Sequence, residues 1–558
     1  MTSMGMVKNH YEFWPKRISK SLTIPETSIV DNLEVSAKRY PNKAAVYFYG
    51  NVLTYKDLLE EVKKKASFLE KEFNVSRGDR VLLYMQNCPQ FIISYYAILS
   101  INAIVVPINP MNKTEELAYF ITDSQASVAF LDESLFDQIQ PLINTTSLTQ
   151  VILSNYSSYA GEDFPEIKNS KVSSKIDYLN VHYWKNANTV SNNVGAYSGG
   201  GTEALIIYTS GTTGDPKGCI HSHKNVQANI SGTTIWGSYS PQTVALTTLP
   251  LFHVTGMQHS MNSTIQAGGT IVLMMRWDRD MAGSLIHELG CTHWVNISTM
   301  MIDFLSNPNL PQYDISSLQV VGGGGAPLPK AIGEKLYELT GILYAEGYGS
   351  TETMSQTHFN PLDRPKLQCL GIPFFDVDAR VIDSDTRKPL GAGEKGEIIV
   401  NSPQLFNGYW RKDEATKSSF IEMDGKTFFL TGDIGYFDEE GYFFLVDRKK
   451  RMINASGFKV WPVEVETMMY KHPAIHSVCV IAAPDLRRGE TVKALIVLND
   501  GYSNVTEDEI IEWCKDRMSN YKYPRKIEFV SELPISASGK VLWRKLQEKE
   551  FSVRGRGI

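Results

Sequence analysis

The apolar positions change period along the chain. In IVDNLEVSA, Ile29 to Ala37, they recur at helical spacing, and in AAVYFYG they run together and stop at Gly50, which predicts a helix and then a strand. Leu53 to Phe73 returns to the helical period, with Thr54 placed as N-cap and Asp57 three residues on. RVLLYM (80–85), AIVVPI (103–108) and SVAFLD (127–132) are compact apolar runs separated by helical segments. Strands that alternate with helices in this way predict βα units around a buried parallel sheet. The greasiest stretch, Phe91 to Val106, is broken by polar residues, falls short of the roughly 20 residues of a membrane span, and is followed by Pro107. A buried helix and strand account for it.

Residues 151–202 carry few order signals and are rich in Asn, Ser, Tyr and Gly, so they predict a long surface excursion. Alternation resumes from 243 to 400, with VALTTLP, TIVLMM, HWVNIS, LQVVGGGG and ILYAEGYG as strands or strand ends. After Gly396 the texture changes. EIIV, FFLTGDIGYFD and GYFFLVDRKK read as short strands on glycine and acidic turns. VEVETMMYKHPAI, SVCVIAAPD, KALIVLN and EDEIIEWCKDRM then form a small α+β unit with its own apolar pattern. A basic run between Asp447 and Arg451 replaces the strand and marks the boundary. There is no internal repeat, and the terminal RGRGI reads as a frayed tail.

A length of 558 residues exceeds one ordinary core and implies two or more domains. A hydrophobic fraction of 42% with 21% charged residues suits a soluble globular chain. The formal net charge of -6 gives no ground for a nucleic-acid partner. The six cysteines, at 88, 219, 291, 369, 479 and 514, form no CxxC pair, so neither a disulfide framework nor a zinc site is indicated. That fits a reducing, cytoplasmic setting. The first residues, MTSMGMVKNHYEFWPKRISKS, lack the continuous apolar core of a secretion signal.

Chemistry enters at YTSGTTGDPKG, Tyr208 to Gly218, which follows the buried-strand pattern ALIIY. Glycines 211, 214 and 218 let backbone approach a ligand, and successive exposed amides form an anion nest to which short hydroxyls add donors. Lys217 can neutralise a phosphate. The spacing is not that of a P-loop, because Lys217 is followed by Gly218 rather than Ser or Thr. An ordinary glycine-rich turn is the plain alternative.

Further stretches occur in a fixed order: LPLFHVTG (249–256), GGGGAPLP (322–329), EGYGSTE (346–352), TGD (431–433), DRKKRMINASGFKVWPVEVE (447–466) and PISASGK (534–540). Together with the loop they make the chain resemble the adenylate-forming superfamily over nearly its whole length. That superfamily contains acyl-CoA synthetases, coumarate ligases, beetle luciferases and the adenylation domains of peptide synthetases. The resemblance implies an α/β fold. A large multi-subdomain N-terminal region (1–447) would carry mixed and parallel sheets and a small β-barrel-like part. A hinge (448–451) would join it to a small mobile C-terminal α+β domain (452–558).

The resemblance also implies roles. Thr209, Ser210, Gly211, Thr212, Thr213, Gly214 and Lys217 would enclose the phosphates of ATP, and Thr212 with Glu352 would help hold Mg2+. Gly324, Gly325, Ala326 and Tyr348 would border adenine, with Gly349 and Thr351 in the same nucleotide site. Asp433 would accept from both ribose hydroxyls, Arg448 would support the ribose or phosphate side, and Lys540 would meet the carboxylate and the α-phosphate. His253 joins Lys540, Thr212, Glu352 and Lys217 in the implied catalytic set. Ser456, Gly457 and Phe458 match the segment lining the pantetheine tunnel of CoA-ligating members, and Lys450 falls at the family's hinge position. The implied reaction joins a carboxylic acid to coenzyme A through an acyl-AMP, releasing AMP and pyrophosphate.

Several of these residues have plainer readings. Asp433 suits a turn, His253 suits a half-buried satisfied histidine, and Lys540 suits an exposed lysine. His221 and His223 have ligand-like spacing but no Cys or acidic partner nearby, and read as the start of the helix after the loop. Two positions depart from the family's pattern: Asn454 stands where coumarate ligases and luciferases carry lysine, and Glu346 where many relatives carry glutamine.

A medium- or long-chain fatty acid is the family-level expectation. Trp236, Gly237, Met257 and the tetraglycine 322–325 lie where they could shape the acyl pocket, and a bulky Trp236 would favour a short or hydroxylated acid instead. An enzyme that loads a separate carrier protein and a non-catalytic nucleotide-binding protein are further readings. A typical multidomain peptide-synthetase module with its carrier domain is not expected. The partners expected are small molecules, with no integral membrane segment and room for a homodimer.

Overall fold

The protein is described here from a computed structural model covering residues 9–164, 167, 180–187, 199–209, 215–455, 458–485, 489–535 and 541–554. The chain divides into two compact units. One comprises His10–Asp378 with Asn401–Thr427, and the other Ala379–Val400 with the chain from Phe428 onward.

The first unit is built on two sheets. In the nine-stranded sheet, Ala345–Ser350, Val320–Gly324, His293–Asn296, Val244–Thr247, Thr270–Leu273 and Ala44–Phe48 lie side by side and parallel. Ser355–Phe359 and Ile372–Pro373 close one edge antiparallel and Asn51–Thr54 the other. In the eight-stranded sheet, Glu203–Tyr208, Ile104–Ile108, Arg80–Tyr84, Val128–Asp132, Gln150–Ser154 and Val181–Tyr183 are parallel. Gly218–Ser222 folds back antiparallel on Glu203–Tyr208, and Gly408–Tyr409 adds the outer edge. Strands buried on both faces need apolar runs, which is why IVVPI and VAFLD read as they do.

Helices form where the pattern predicts. Tyr55–Phe73 starts at a capping box in which Thr54 accepts from the Asp57 amide and the Asp57 carboxylate accepts from the Thr54 amide. Pro89–Ser100 is buried on nearly every face and leads into Ile104–Ile108. No helix among the described residues is long and apolar enough to cross a membrane.

Two local expectations change. The stretch read as a surface excursion contributes Gln150–Ser154 and Val181–Tyr183 to the sheet. Five- and three-residue strands next to Asn and Ser are too short to impose a period. His223 does open the helix His223–Trp236, but His221 belongs to the strand before it and Ser222 is the cap.

In the second unit, Gly396–Asn401, Lys426–Phe437 and Phe443–Arg448 pair antiparallel in that order. The C-terminal part centres on the long pair Ile475–Asp485 and Gly489–Leu498, with Lys526–Phe529 added parallel and the hairpin Ile453–Ala455/Phe458–Val460 beyond. Val465, Met469, Val480, Ile496 and Ile510 fill its core.

Candidate active site

The glycine-rich loop springs from the neck of the hairpin between Glu203–Tyr208 and Gly218–Ser222. Thr209 and Lys217 close that neck: the Thr209 amide donates to the Lys217 carbonyl at 2.9 Å, and the Lys217 amide donates to Thr209 Oγ1 at 3.3 Å. Tyr119 braces the descending arm through its hydroxyl to the Pro216 carbonyl at 2.6 Å, and Tyr208 donates to Asp123 at 2.7 Å. Ser210, Gly211, Thr212, Thr213 and Gly214 lie outside the described residues.

Glu352 lies in a tight turn that leaves the strand Ala345–Ser350. Met354 and Ser355 both have positive φ, 47° and 89°, which is strained for residues other than glycine. Thr353 Oγ1 ties the turn together, accepting from the Ser350 amide at 2.8 Å and donating to the Ser355 carbonyl at 2.6 Å. A Cβ on Gly349 would stand 1.7 Å from the Ser355 carbonyl oxygen, so only glycine fits there. Two bonds anchor the backbone beside the carboxylate: His221 Nε2 to the Thr351 carbonyl at 2.8 Å, and the Phe406 amide to the Glu352 carbonyl at 2.8 Å. Burial pushes the His221 imidazole down to about 4, so it serves as a neutral donor.

Tyr409 joins the two elements. Its hydroxyl donates to Glu352 Oε1 at 2.9 Å, and Lys217 Nζ stands 4.8 Å from its ring centroid. The loop cation and the carboxylate, far apart in sequence, thus converge on one aromatic side chain.

Gly325 and Ala326 are exposed where the strand Val320–Gly324 runs out, and Gly325 has φ 88°. Ser298 Oγ donates to the Ala326 carbonyl at 2.8 Å. Tyr348 is half-buried beside His358, with ring centroids 5.6 Å apart. Glu346 is buried and accepts from the amides of Gln368 at 2.8 Å and Leu328 at 3.3 Å on one oxygen. Burial outweighs those bonds and pushes its carboxyl up to about 7. Glu346 therefore braces the end of GGGGAPLP. His253 is partly buried against Phe252, with ring centroids 4.8 Å apart.

In the second unit, Asp433 and Arg448 face each other across paired strands, with Arg448 Nε 2.9 Å from Asp433 Oδ1. Asp433 is buried, and its amide donates to Thr431 Oγ1 at 3.1 Å. Lys450 is exposed within a 3-10 turn, Lys449–Arg451. Lys449 reaches Glu397 at 2.9 Å, and Arg451 pairs with Glu466 and donates to the Val480 carbonyl at 3.1 Å. Asp447 accepts from the amides of Arg448 and Val463, and burial pushes its carboxyl up to about 6 despite the nearby Arg451. Asn454 is exposed, and its amide donates to Glu490 at 2.8 Å. Phe458 opens the strand Phe458–Val460, whereas Ser456, Gly457 and Lys540 lie outside the described residues.

A family model described as AMP-binding enzyme matches residues 33–410, and its C-terminal companion, AMP-binding enzyme C-terminal domain, matches residues 464–540. The chain belongs to the AMP-binding enzyme family. It is 36% identical over 550 residues to a long-chain-fatty-acid–CoA ligase of Bacillus subtilis (strain 168), covering 96% of this chain and 97% of that protein. A ligase of the same description from Escherichia coli O157:H7 is 31% identical, with 94% of each chain covered. Among solved structures, ATP-bound MatB from Rhodopseudomonas palustris superposes with a TM-score of 0.84 at 27% identity, over 95% of this chain and all of that one. The AMP-binding enzyme described here is accordingly an acid–thiol ligase of the adenylate-forming superfamily.

Within this AMP-binding enzyme, the sequence patterns pass over Tyr409, and they read His221 as the start of a helix, whereas it stands in a strand and bonds the Thr351 carbonyl. A tyrosine in FNGYW reads as core aromatic. The signal available was pairing: a strand that hydrogen-bonds to the loop's return arm must carry its side chains past the loop. Magnesium takes oxygen donors and few protein ligands, completing its shell with water and phosphates. A single carboxylate, Glu352, suits that donor set, and among the described residues Glu352 Oε2 receives no hydrogen bond.

Proposed function

We propose that this enzyme activates a medium- or long-chain fatty acid with ATP and transfers it to coenzyme A. The observation that carries the reading is the convergence of Lys217 and Glu352 on Tyr409 beside the neck of the glycine loop. The names of the relatives from Bacillus subtilis and Escherichia coli support the acid class.

In the first step a carboxylate oxygen attacks the α-phosphorus, the bond to pyrophosphate breaks, and acyl-AMP forms. In the second step the thiolate of coenzyme A attacks the acyl carbonyl and AMP leaves with the bridging oxygen. Two anions must meet in the first step, so cationic and amide donors have to hold the phosphates in line. Lys217 and the 209–214 amides take that part in this proposal, Thr212 and Glu352 hold Mg2+, and Lys540 meets the α-phosphate. When bound, Mg2+ would offset charge on the phosphates. Gly324 to Ala326, Tyr348, Gly349 and Thr351 take the base side, Asp433 and Arg448 the ribose side, and Ser456 to Phe458 the pantetheine. His253 borders the acid. The free, buried state of all six cysteines supports a reducing, cytoplasmic setting.

A second reading, a short or hydroxylated acid, is favoured by one feature. The segment that starts at the last residue of LPLFHVTG, Gly256–Asn262, is π-helical and buried throughout, and it carries polar side chains. Asn262 bonds Tyr95, Tyr96 and Gln258, and His259 bonds Ser355. Trp236 does not add to that argument. Its indole N–H donates to the Asn360 carbonyl at 3.0 Å and its ring packs among Trp14, Phe374 and Phe375.

Pyrophosphate exchange measured over straight-chain acids from acetate to palmitate, with 3- and 4-hydroxy short acids included, separates the two readings. Activity should peak at medium or long chains, each buried methylene adding about 0.8 kcal/mol until the pocket is filled. A peak at the short hydroxy acids would transfer the assignment to the second reading.

A further inference from the structure

Tyr409 belongs to no motif given a role above. It lies on the two-residue strand Gly408–Tyr409, opposite Cys219 in the antiparallel pairing with Gly218–Ser222. Its amide donates to Thr416 Oγ1 at 2.9 Å, and its ring packs edge-on against Phe406 at 4.8 Å. The residue is 7% exposed. The phenolic hydroxyl serves as a hydrogen-bond donor.

The side chain touches two opposite charges in two different ways. The hydroxyl takes the carboxylate of Glu352 at 2.9 Å, and the ring takes the ammonium of Lys217 at 4.8 Å. Neither Lys217 nor Glu352 forms an ion pair with any described residue. Tyr409 is the side chain that both of them contact.

We propose that Tyr409 is a positioning residue that holds both Lys217 and Glu352 in aim. Its O–H fixes the carboxylate for the metal, and its ring holds the cation for the phosphates. The proposal rests on the roles given to Lys217 and Glu352 under the proposed function. Its two halves are separable, because one substitution removes the donor and another removes the ring.

The test is calorimetric binding of ATP to the intact enzyme, in EDTA and in Mg2+, with thermal melting as the check on folding. Tyr409→Phe keeps the ring and loses the donor. Affinity in EDTA should stay within about twofold of the parent, while the gain on adding Mg2+ shrinks about tenfold, the scale of a hydrogen bond to a charged group. Tyr409→Gln keeps a donor and loses the ring, so its affinity in EDTA should fall while much of the Mg2+ gain survives. Glu352→Gln should abolish the gain, and adding Tyr409→Phe to it should change nothing further. Equal loss of both affinities in both tyrosine variants would make Tyr409 mere packing and overturn the proposal. So would a full Mg2+ gain in Tyr409→Phe alongside its loss in Glu352→Gln. A full gain in Glu352→Gln would reject the metal role itself, and this proposal with it.

Discussion

A carboxyl taken out of water keeps its proton further up the pH scale even where two backbone amides oppose the shift, and Glu346 is such a group. Its value rises from 4.5 to about 7 on folding. Between those values the folded protein binds the proton more tightly than the unfolded chain. The stability this group contributes is therefore greatest below 4.5, is lost as pH climbs to about 7, and stays flat above. Glu346→Gln removes the titration while leaving an oxygen to accept the Leu328 and Gln368 amides. Relative to the parent, the variant should gain on the order of 2 kcal/mol between pH 5 and pH 8, read from urea midpoints at each pH. Parallel pH profiles for the two proteins would show that Glu346 ionises normally in the fold.

At the scale of elements, the turn that presents Glu352 is the most constrained part of the site. Gly349→Ala sets a Cβ against the Ser355 carbonyl, where it would approach to 1.7 Å, so the backbone at Met354 and Ser355 must shift. The variant should lose about 1–3 kcal/mol of stability. Its pyrophosphate exchange should fall at least about tenfold, because the carboxylate moves with the turn. A variant that melts lower but exchanges at the parental rate would separate the turn from catalysis. The sequence made part of this legible. The Thr54–Asp57 box and the runs RVLLYM and SVAFLD are local patterns, and local patterns need no fold to be read. The glycine loop, EGYGSTE and TGD stand out because ligand chemistry demands unusual composition. Gln150–Ser154 was opaque because sheet neighbours, rather than its own period, hold it in place. Tyr409 was opaque because its meaning comes from Lys217 and Glu352, which only the pairing of two distant strands brings to it.

For the molecule as a whole, two chemical steps ask different residues to serve one acyl group. Lys540 belongs to the first in our proposal and Ser456 to Phe458 to the second, both on the C-terminal side of Lys450. We propose that residues 448–451 form the hinge that exchanges them. Proline fixes φ near −65° and removes the amide donor. Lys450→Pro should leave pyrophosphate exchange within about threefold of the parent and slow thioester formation from supplied acyl-AMP at least about tenfold, whereas Lys540→Ala should do the reverse. Equal rates for Lys450→Pro and the parent in both half-reactions would place the hinge elsewhere.

All of these assignments depend on the acid's own oxygen attacking the α-phosphorus. The most direct measurement is to run the full reaction with a fatty acid labelled with 18O in both carboxyl oxygens, and to weigh the products by mass spectrometry. One labelled oxygen should appear in each AMP formed, because the bridging oxygen leaves with the phosphorus when coenzyme A takes the acyl group. Unlabelled AMP, or label recovered in inorganic phosphate, would contradict an acyl-adenylate route.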